Sequence, residues 1–330
     1  MPLRSPARPG APRRLLAPAL CALAAGALAA GALGACARKD SGQYTVGFAQ
    51  MESDNPWRLA QTASLKAEAA KRGYQLVVTD AQGQTAKQVS DVEDLIARRV
   101  KVILLAPREY QGLVPALQAA REAKIPVILL DREAAGTPGQ DYVTFLGSNF
   151  VEQGRRAADW LAKTTNGTAT IVELTGTPGS SVATDRAKGF RDELAKHPGM
   201  RVVASQTGDF SRARGQQVMQ NLAQSLGRGF TAVYAHNDEM ALGAIEALKA
   251  AGRVPGRDVT VVSVDGERAA LEAIQRGELG ATVESNPRFG PIAFETVEQV
   301  RRGEPVPPKK LISDRFFDKN NAAQFVADAY

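Results

Sequence analysis

Two adjacent side chains, Asp131 and Arg132, close an unbroken apolar run, Val127-Ile128-Leu129-Leu130. Such a run reads as a strand buried on both faces, and a carboxylate beside a guanidinium at its carboxyl end stands where parallel sheets bind ligands. The same placement recurs along the chain. Asn55, Trp57 and Arg58 follow the strand-like Tyr44 to Ala49; Arg186 lies beyond Thr170 to Leu174; Asp209 and Phe210 follow Arg201 to Ser205; His236 and Asn237 follow Ala232 to Ala235; and Asp265 ends Val259 to Val264. Carboxylates accept hydrogen bonds from hydroxyls, arginine forks donate to adjacent oxygens, asparagine does both, and an aromatic face packs on the C–H side of a sugar ring. Together these types suit a polyhydroxylated ligand.

Each of these residues also has a plainer reading. Asn55, Asn237 or Asp238, and Asp265 before Gly266, read equally as helix caps or turn residues. Trp57 and Phe210 read as core, Arg186 as a partner of Asp185 or Asp192, His236 as a satisfied structural histidine, and Asp131 with Arg132 as a surface ion pair. What argues for a site is the mixture of arginines, carboxylates and aromatics at one common edge.

The elements that hold this edge alternate regularly. Asn55-Pro56 gives an N-cap and a first-turn proline to a helix that stops at Gly73. Gln75 to Thr79, Thr85 to Arg98, Val102 to Ala106, Leu113 to Ala123 and Val127 to Leu130 continue strand and helix in turn, with Val89, Val92, Leu95 and Ile96 on one helical face. After Tyr142 to Leu146 and a helix from Asn149 to Lys163, the cycle restarts with helices at Val182 to Lys196, Arg212 to Leu226 and Glu239 to Ala251. Alternation at this spacing predicts an α/β fold of two similar parallel-sheet lobes. Residues 281 to 315 add a strand, a helix from Pro291 to Arg302 and a proline-rich 305 to 308, so the chain is expected to pass back between the lobes.

The formal charge of +6 is misleading. Arg4, Arg8, Arg13 and Arg14 all precede an apolar segment, LLAPALCALAAGALAAGALGA at 15 to 35; without these four arginines the charge is +2, and no basic block remains to bind nucleic acid. A basic start, an apolar run and then Cys36 form an export signal. Leu33-Gly34-Ala35-Cys36 resembles the lipobox of bacterial lipoproteins, in which the cysteine becomes the acylated first residue; an uncleaved anchor and plain secretory cleavage are the alternatives. Cys21 lies inside the signal, so the mature chain holds one cysteine, and with only His197 and His236 no metal centre is expected.

Enzyme signatures are poor. No G-x-G-x-x-G follows the first strand and no G-x-S-x-G is present, while Gly176-Thr177-Pro178-Gly179-Ser180-Ser181 faintly evokes a phosphate loop but lacks its lysine. Asn166-Gly167-Thr168 fits a glycosylation sequon, a weak signal in an apparent bacterial lipoprotein.

From Tyr44 to about Phe317 the chain resembles the extracytoplasmic sugar-binding proteins of ABC importers, in the ribose- and galactose-binding group, and within it the galactofuranose binders. The motifs that carry the resemblance are Gly47-Phe48-Ala49-Gln50 with Trp57-Arg58, Leu129-Leu130-Asp131-Arg132, Val172-Glu173-Leu174 with Ala183-Thr184-Asp185-Arg186, Gly208-Asp209-Phe210, the run Val233 to Met240, and Val264-Asp265-Gly266. The resemblance implies two Rossmann-like lobes joined by a three-strand hinge, 44–147 with 286–311 and 148–285 with 312–330. It implies ligand contacts at Asn55, Trp57, Arg58, Asp131, Arg132, Arg186, Phe210, Asn237, Asp265 and Ser285. Ser285 stands where ribose binders have glutamine, with Glu284 and Asn286 as substitutes. Trp57-Arg58 replaces two adjacent aromatics of ribose binders and favours a hexofuranose. The loop Met51 to Asn55 and the segment Arg108-Glu109-Tyr110 differ from the galactofuranose binders. The implied partners are a monosaccharide and a membrane permease, with a lipid at Cys36, no cofactor, and a monomer in the periplasm or at the cell surface. A sugar-responsive transcription regulator shares the fold but would begin with a helix-turn-helix; a receptor for chemotaxis or a sensor kinase would share fold and site.

Overall fold

The structure, a computed structural model, describes residues 43–330. The export segment and Cys36 lie outside the described residues.

Two sheets of six strands form the framework. In the first, β1 (Thr45–Gln50), β2 (Gln75–Asp80), β3 (Val102–Leu105), β4 (Val127–Leu130), β5 (Thr144–Ser148) and β11 (Lys309–Ile312) lie side by side in the order β11-β5-β4-β3-β1-β2 and are parallel throughout. In the second, β6 (Thr168–Thr175), β7 (Gly199–Thr207), β8 (Ala232–Ala235), β9 (Thr260–Asp265), β10 (Ala281–Glu284) and β12 (Phe316–Asp318) run β12-β10-β9-β8-β6-β7, and only β12 is antiparallel. The two-lobed α/β architecture expected from the sequence is therefore observed.

Local chemistry explains the elements. β3 and β4 both read Val-Ile-Leu-Leu and are wholly buried, as strands covered on both faces must be. Helix α1 (Pro56–Lys71) starts on Asn55, whose side-chain oxygen accepts from the Arg58 N–H, and it ends before Gly73 at φ +73°. The remaining helices are α2 (Thr85–Ala97), α3 (Val114–Glu122), α4 (Phe150–Thr164), α5 (Ser181–Leu194), α6 (Arg212–Leu226), α7 (Asp238–Ala250), α8 (Arg268–Gln275) and α9 (Gly290–Arg302). Among the described residues no helix is long and apolar enough to cross a membrane.

The chain crosses between the sheets three times, at Ser148–Asn149, after Glu284, and between β11 and β12. The middle crossing delivers α9 to the first lobe, where Phe289, Phe294 and Val297 pack with Val46, Phe48 and Leu65. The second lobe has its own core, centred on Phe190 stacked on Tyr234 at 3.9 Å. In each sheet the strand order reverses beside the first strand, between β1 and β3 and between β6 and β8. Loops leaving such a reversal diverge and open a crevice at the carboxyl edge.

Candidate functional site

All ten residues expected to touch ligand line one cavity at that edge, together with Glu52 and Val182, around about 340 Å³ of atom-free space. Each is held by specific partners. Asn55 is both helix cap and cavity wall: its Oδ1 accepts from Arg58 N at 2.9 Å and its Nδ2 donates to Glu52 at 3.3 Å. Trp57 packs edge-on against Phe289 and donates its indole N–H to the Ser285 carbonyl at 2.7 Å, so it is core and wall at once. Arg58, 4% exposed, donates to Asp131 at 2.6 Å and lies 4.6 Å above the Trp57 ring.

Asp131 and Arg132 are no surface ion pair; they are 4% and 3% exposed. Asp131 takes a left-handed φ of +65°, with its N–H donating to Leu146 O at 2.8 Å. Arg132 donates through Nη1 to the Arg108 carbonyl at 2.8 Å, lies 5.2 Å from the Phe210 ring, and has no partner for its Nε. Burial, helped by nearby Arg58, pulls this guanidinium down to about 9, which still leaves it charged at neutral pH.

From the second lobe, Arg186 bonds neither Asp185 nor Asp192. Its Nε donates to Gln153 at 2.9 Å, its Nη1 to His236 O, and its Nη2 to Asp265 at 3.3 Å. Asn237 caps α7, accepting from Met240 N at 3.0 Å, and donates to Phe210 O at 3.1 Å. Burial raises the Asp265 carboxyl well above its usual range, with Arg186 opposing. Phe210 at φ +57° and Asp265 at +135° share with Asp131 a backbone region that non-glycine residues avoid. Strain of that kind collects where side chains must be aimed.

The remaining candidates separate. Ser285 reaches the cavity; the Glu284 carboxylate does not, because Arg315 occupies it through Nε at 2.9 Å and Nη2 at 2.6 Å. Asn286 instead accepts from Arg288 N. His236 is structural: fully buried, it faces Glu173 through Nε2 at 3.2 Å, while Nδ1 accepts from Gly176 N at 3.4 Å. Those partners place its proton on Nε2. Burial also lowers the imidazole's pKa, favouring the neutral ring. Although its own burial opposes this, hydrogen bonds from His236, Ser205 and Arg191 lower the Glu173 carboxyl to about 2. Asp209 sits outside the cavity and pairs with Arg214 at 3.2 Å. The phosphate-loop-like segment ends in the cap of α5, with Ser180 accepting from Ala183 N.

Sequence reasoning missed Glu52, which burial raises despite opposing Arg132 and Arg58. It lies in mid-loop, with no strand end or periodicity to mark it. With it the cavity holds three guanidiniums, Arg58, Arg132 and Arg186, and three carboxylates, Glu52, Asp131 and Asp265. Donors and acceptors in that mixture suit hydroxyls, which both give and take hydrogen bonds. Among the described residues no cluster could hold a metal ion.

Two parallel-sheet lobes, three crossings and a polar cavity shared between them define a receptor that shuts on a small hydroxylated molecule. The periplasmic binding protein domain model matches residues 46–305. The galactofuranose-binding protein YtfQ of Escherichia coli strain K12 is 39% identical over 272 residues, 82% of this chain and 86% of that protein. The ribose import binding protein RbsB of Salmonella typhimurium is 39% identical over 266 residues, 80% of this chain and 87% of that one. The periplasmic component of the arabinose ABC transporter from Shewanella sp. ANA-3, solved with α- and β-L-arabinofuranose, superposes with a TM-score of 0.83 at 38% identity, over 86% of this chain and 95% of that one. The chain belongs to the periplasmic binding protein family.

Proposed function

We propose that the chain is the extracytoplasmic sugar-binding component of an ABC importer, and that its guest is a neutral monosaccharide in furanose form, galactofuranose or a close relative. The observation that carries this reading is the cavity of three arginines, three carboxylates, Asn55, Asn237, Trp57 and Phe210 closed between two lobes. Charge-assisted hydrogen bonds to hydroxyls contribute roughly 1.5 to 3 kcal/mol each. A micromolar complex needs about 8 kcal/mol, within reach of four or five such bonds after ordering costs. Sugar-binding relatives of galactofuranose, ribose and arabinofuranose type support the class, and Arg58 beside Trp57 supports a guest with an exocyclic hydroxyl.

In this reading the lobes are 44–147 with 286–311 and 148–285 with 312–330, the protein acts as a monomer, and the closed form docks on a membrane permease. A lipid on Cys36 keeps it at the membrane. No bond is made or broken in the guest. Calorimetry against galactofuranose, arabinofuranose, ribose, galactose and glucose tests the assignment. Tightest binding is expected for a furanose; silence toward every sugar would remove its basis.

A further inference from the structure

Helices α4 and α5 touch backbone to backbone. A Cβ on Gly154 would fall 2.1 Å from Arg186 O, and one on Gly189 would fall 1.8 Å from Val151 O, so only glycine fits at either place. This approach sets Gln153, 1% exposed, against the cavity arginine: its Oε1 accepts from Arg186 Nε at 2.9 Å. The Nε2 of the same amide points the other way. It donates to the Asp314 carboxylate at 2.9 Å and to Glu284 O at 3.2 Å. Asp314 in turn accepts from Ser148 Oγ at 3.0 Å. Ser148, Glu284 and Asp314 stand at the three separate crossings between the sheets. One buried amide therefore holds a ligand-facing guanidinium and, directly or through one carboxylate, every strand of the hinge.

We propose that Gln153 is the positioning residue that couples Arg186 to the hinge, so that gripping the guest and closing the lobes are one event; this rests on the sugar-binding reading above. Closure turns the crossings, and the amide, bonded at once to Arg186, Glu284 O and Asp314, carries that turn to the guanidinium. The chemistry demands an amide. An ionised glutamate would have no donor for Asp314, and a lysine or arginine no acceptor for Arg186; asparagine has both but is a methylene shorter.

Replacing the amide by a carboxylate gives the test its signature. Gln153→Glu keeps the acceptor for Arg186 but sets a second carboxylate against Asp314, which burial already pushes up to about 6 despite its bonds from Gln153 and Ser148. The other charges facing Asp314 are Glu284, Arg186, and Arg156, which donates to its backbone oxygen at 2.9 Å. Glu284 is held by Arg315, so the introduced carboxylate and Asp314 form the new acidic pair.

Sugar affinity is measured by calorimetry with the furanose the wild type binds best. At about pH 8 the Gln153→Glu protein should bind about tenfold or more weakly; near pH 5, where one proton bridges the pair, it should return to within about threefold of wild type. Gln153→Leu should lose affinity at both pH values without recovery. Wild-type affinity for Gln153→Glu at pH 8, or an equal loss at both pH values, would overturn the coupling. Should Gln153→Glu fail to fold at pH 8, Gln153→Leu decides: about fivefold weaker binding supports the coupling, and unchanged binding overturns it. If wild type binds no sugar, the functional reading fails separately. The radius of gyration of the ligand-free proteins then decides, a pH-reversible expansion of Gln153→Glu supporting the coupling and an unchanged radius overturning it.

Discussion

Arg132→Met should separate binding from stability, and in opposite directions. The guanidinium is 3% exposed, and of its nitrogens only Nη1 has an accepting partner at hydrogen-bond distance, the Arg108 carbonyl at 2.8 Å. The buried Nε faces no acceptor within the protein and lies 3.8 Å from Asp131. A hydroxyl oxygen of the guest would satisfy it. Losing one charge-assisted hydrogen bond of about 2 kcal/mol weakens binding about thirtyfold, and more where Nη2 also engages the guest. The ligand-free protein gains by the same change. Burying a guanidinium costs several kcal/mol, methionine restores most of the volume against Phe210, and Asp131 keeps its 2.6 Å partner Arg58, so no charge is orphaned. The forfeited bond to Arg108 O and the cation–π contact with Phe210 together offset part of that gain, about 2 kcal/mol. Thermal melting without sugar should therefore be unchanged or raised, while calorimetry shows the loss of affinity. A variant that melts well below wild type, or binds within about threefold of it, would refute the account.

Two other changes probe the frame around the cavity. Glu133 N donates to Ser181 Oγ at 2.9 Å and Tyr110 N to Gly179 O at 2.9 Å, two bonds that bridge the lobes at the cleft mouth without touching the cavity. Ser181→Ala should weaken sugar binding by roughly two- to tenfold, read by calorimetry, and leave ligand-free melting in place. Asp238 accepts from Gly266 N at 2.7 Å and Glu267 N at 2.8 Å, as well as from Ser263 and Thr282, and so fixes the turn that aims Asp265. Burial raises its carboxyl to about 6, above an unfolded value near 3.8. A raised carboxyl contributes stability that is present below the unfolded pKa and lost as pH climbs through the folded one. Urea titrations between about pH 4 and 6 should show that decline in wild type and a shallower one in Asp238→Asn, whose sugar affinity should also fall about fivefold or more.

The legible parts of this molecule are those where one residue type does a job with few substitutes. Val-Ile-Leu-Leu ahead of Asp131 announces a buried strand and its exit; Asn55-Pro56 announces a helix start; and a carboxylate or guanidinium at such an exit has a crevice to face. Glu52 lacks that frame, because a mid-loop carboxylate is oriented by Asn55 of its own loop and by Arg108, which arrives from another part of the chain. Helix α8 went unexpected because it spans only Arg268–Gln275 and is anchored by what lies beneath it, the carboxylate of Asp238 holding the N–H groups of Gly266 and Glu267. Ser285 was separable from Glu284 only through the position of Arg315, a contact 31 residues along the chain. Gln153 carries no pattern at all: its meeting with Arg186 depends on two glycines in different helices.

The cavity side chains are rigid within each lobe, and that rigidity gives the hinge its leverage. Asp131 is fixed by its bond to Leu146 O, Asn237 by Met240 N and Phe210 O, and Arg58 by Asp131 and Gln61. A guest entering the open form orders few side chains, so most of its unfavourable entropy lies in bringing two rigid halves together. Affinity then depends on the closed-to-open ratio as much as on any single contact, and groups that never meet the sugar can set it. Trp57 belongs partly to this class, since its indole N–H holds the Ser285 carbonyl at the middle crossing while its ring faces the cavity. Together with Gln153 on Arg186, it ties one cavity residue of each lobe to the hinge, which is the arrangement required if neither lobe is to close on an empty or ill-fitting site.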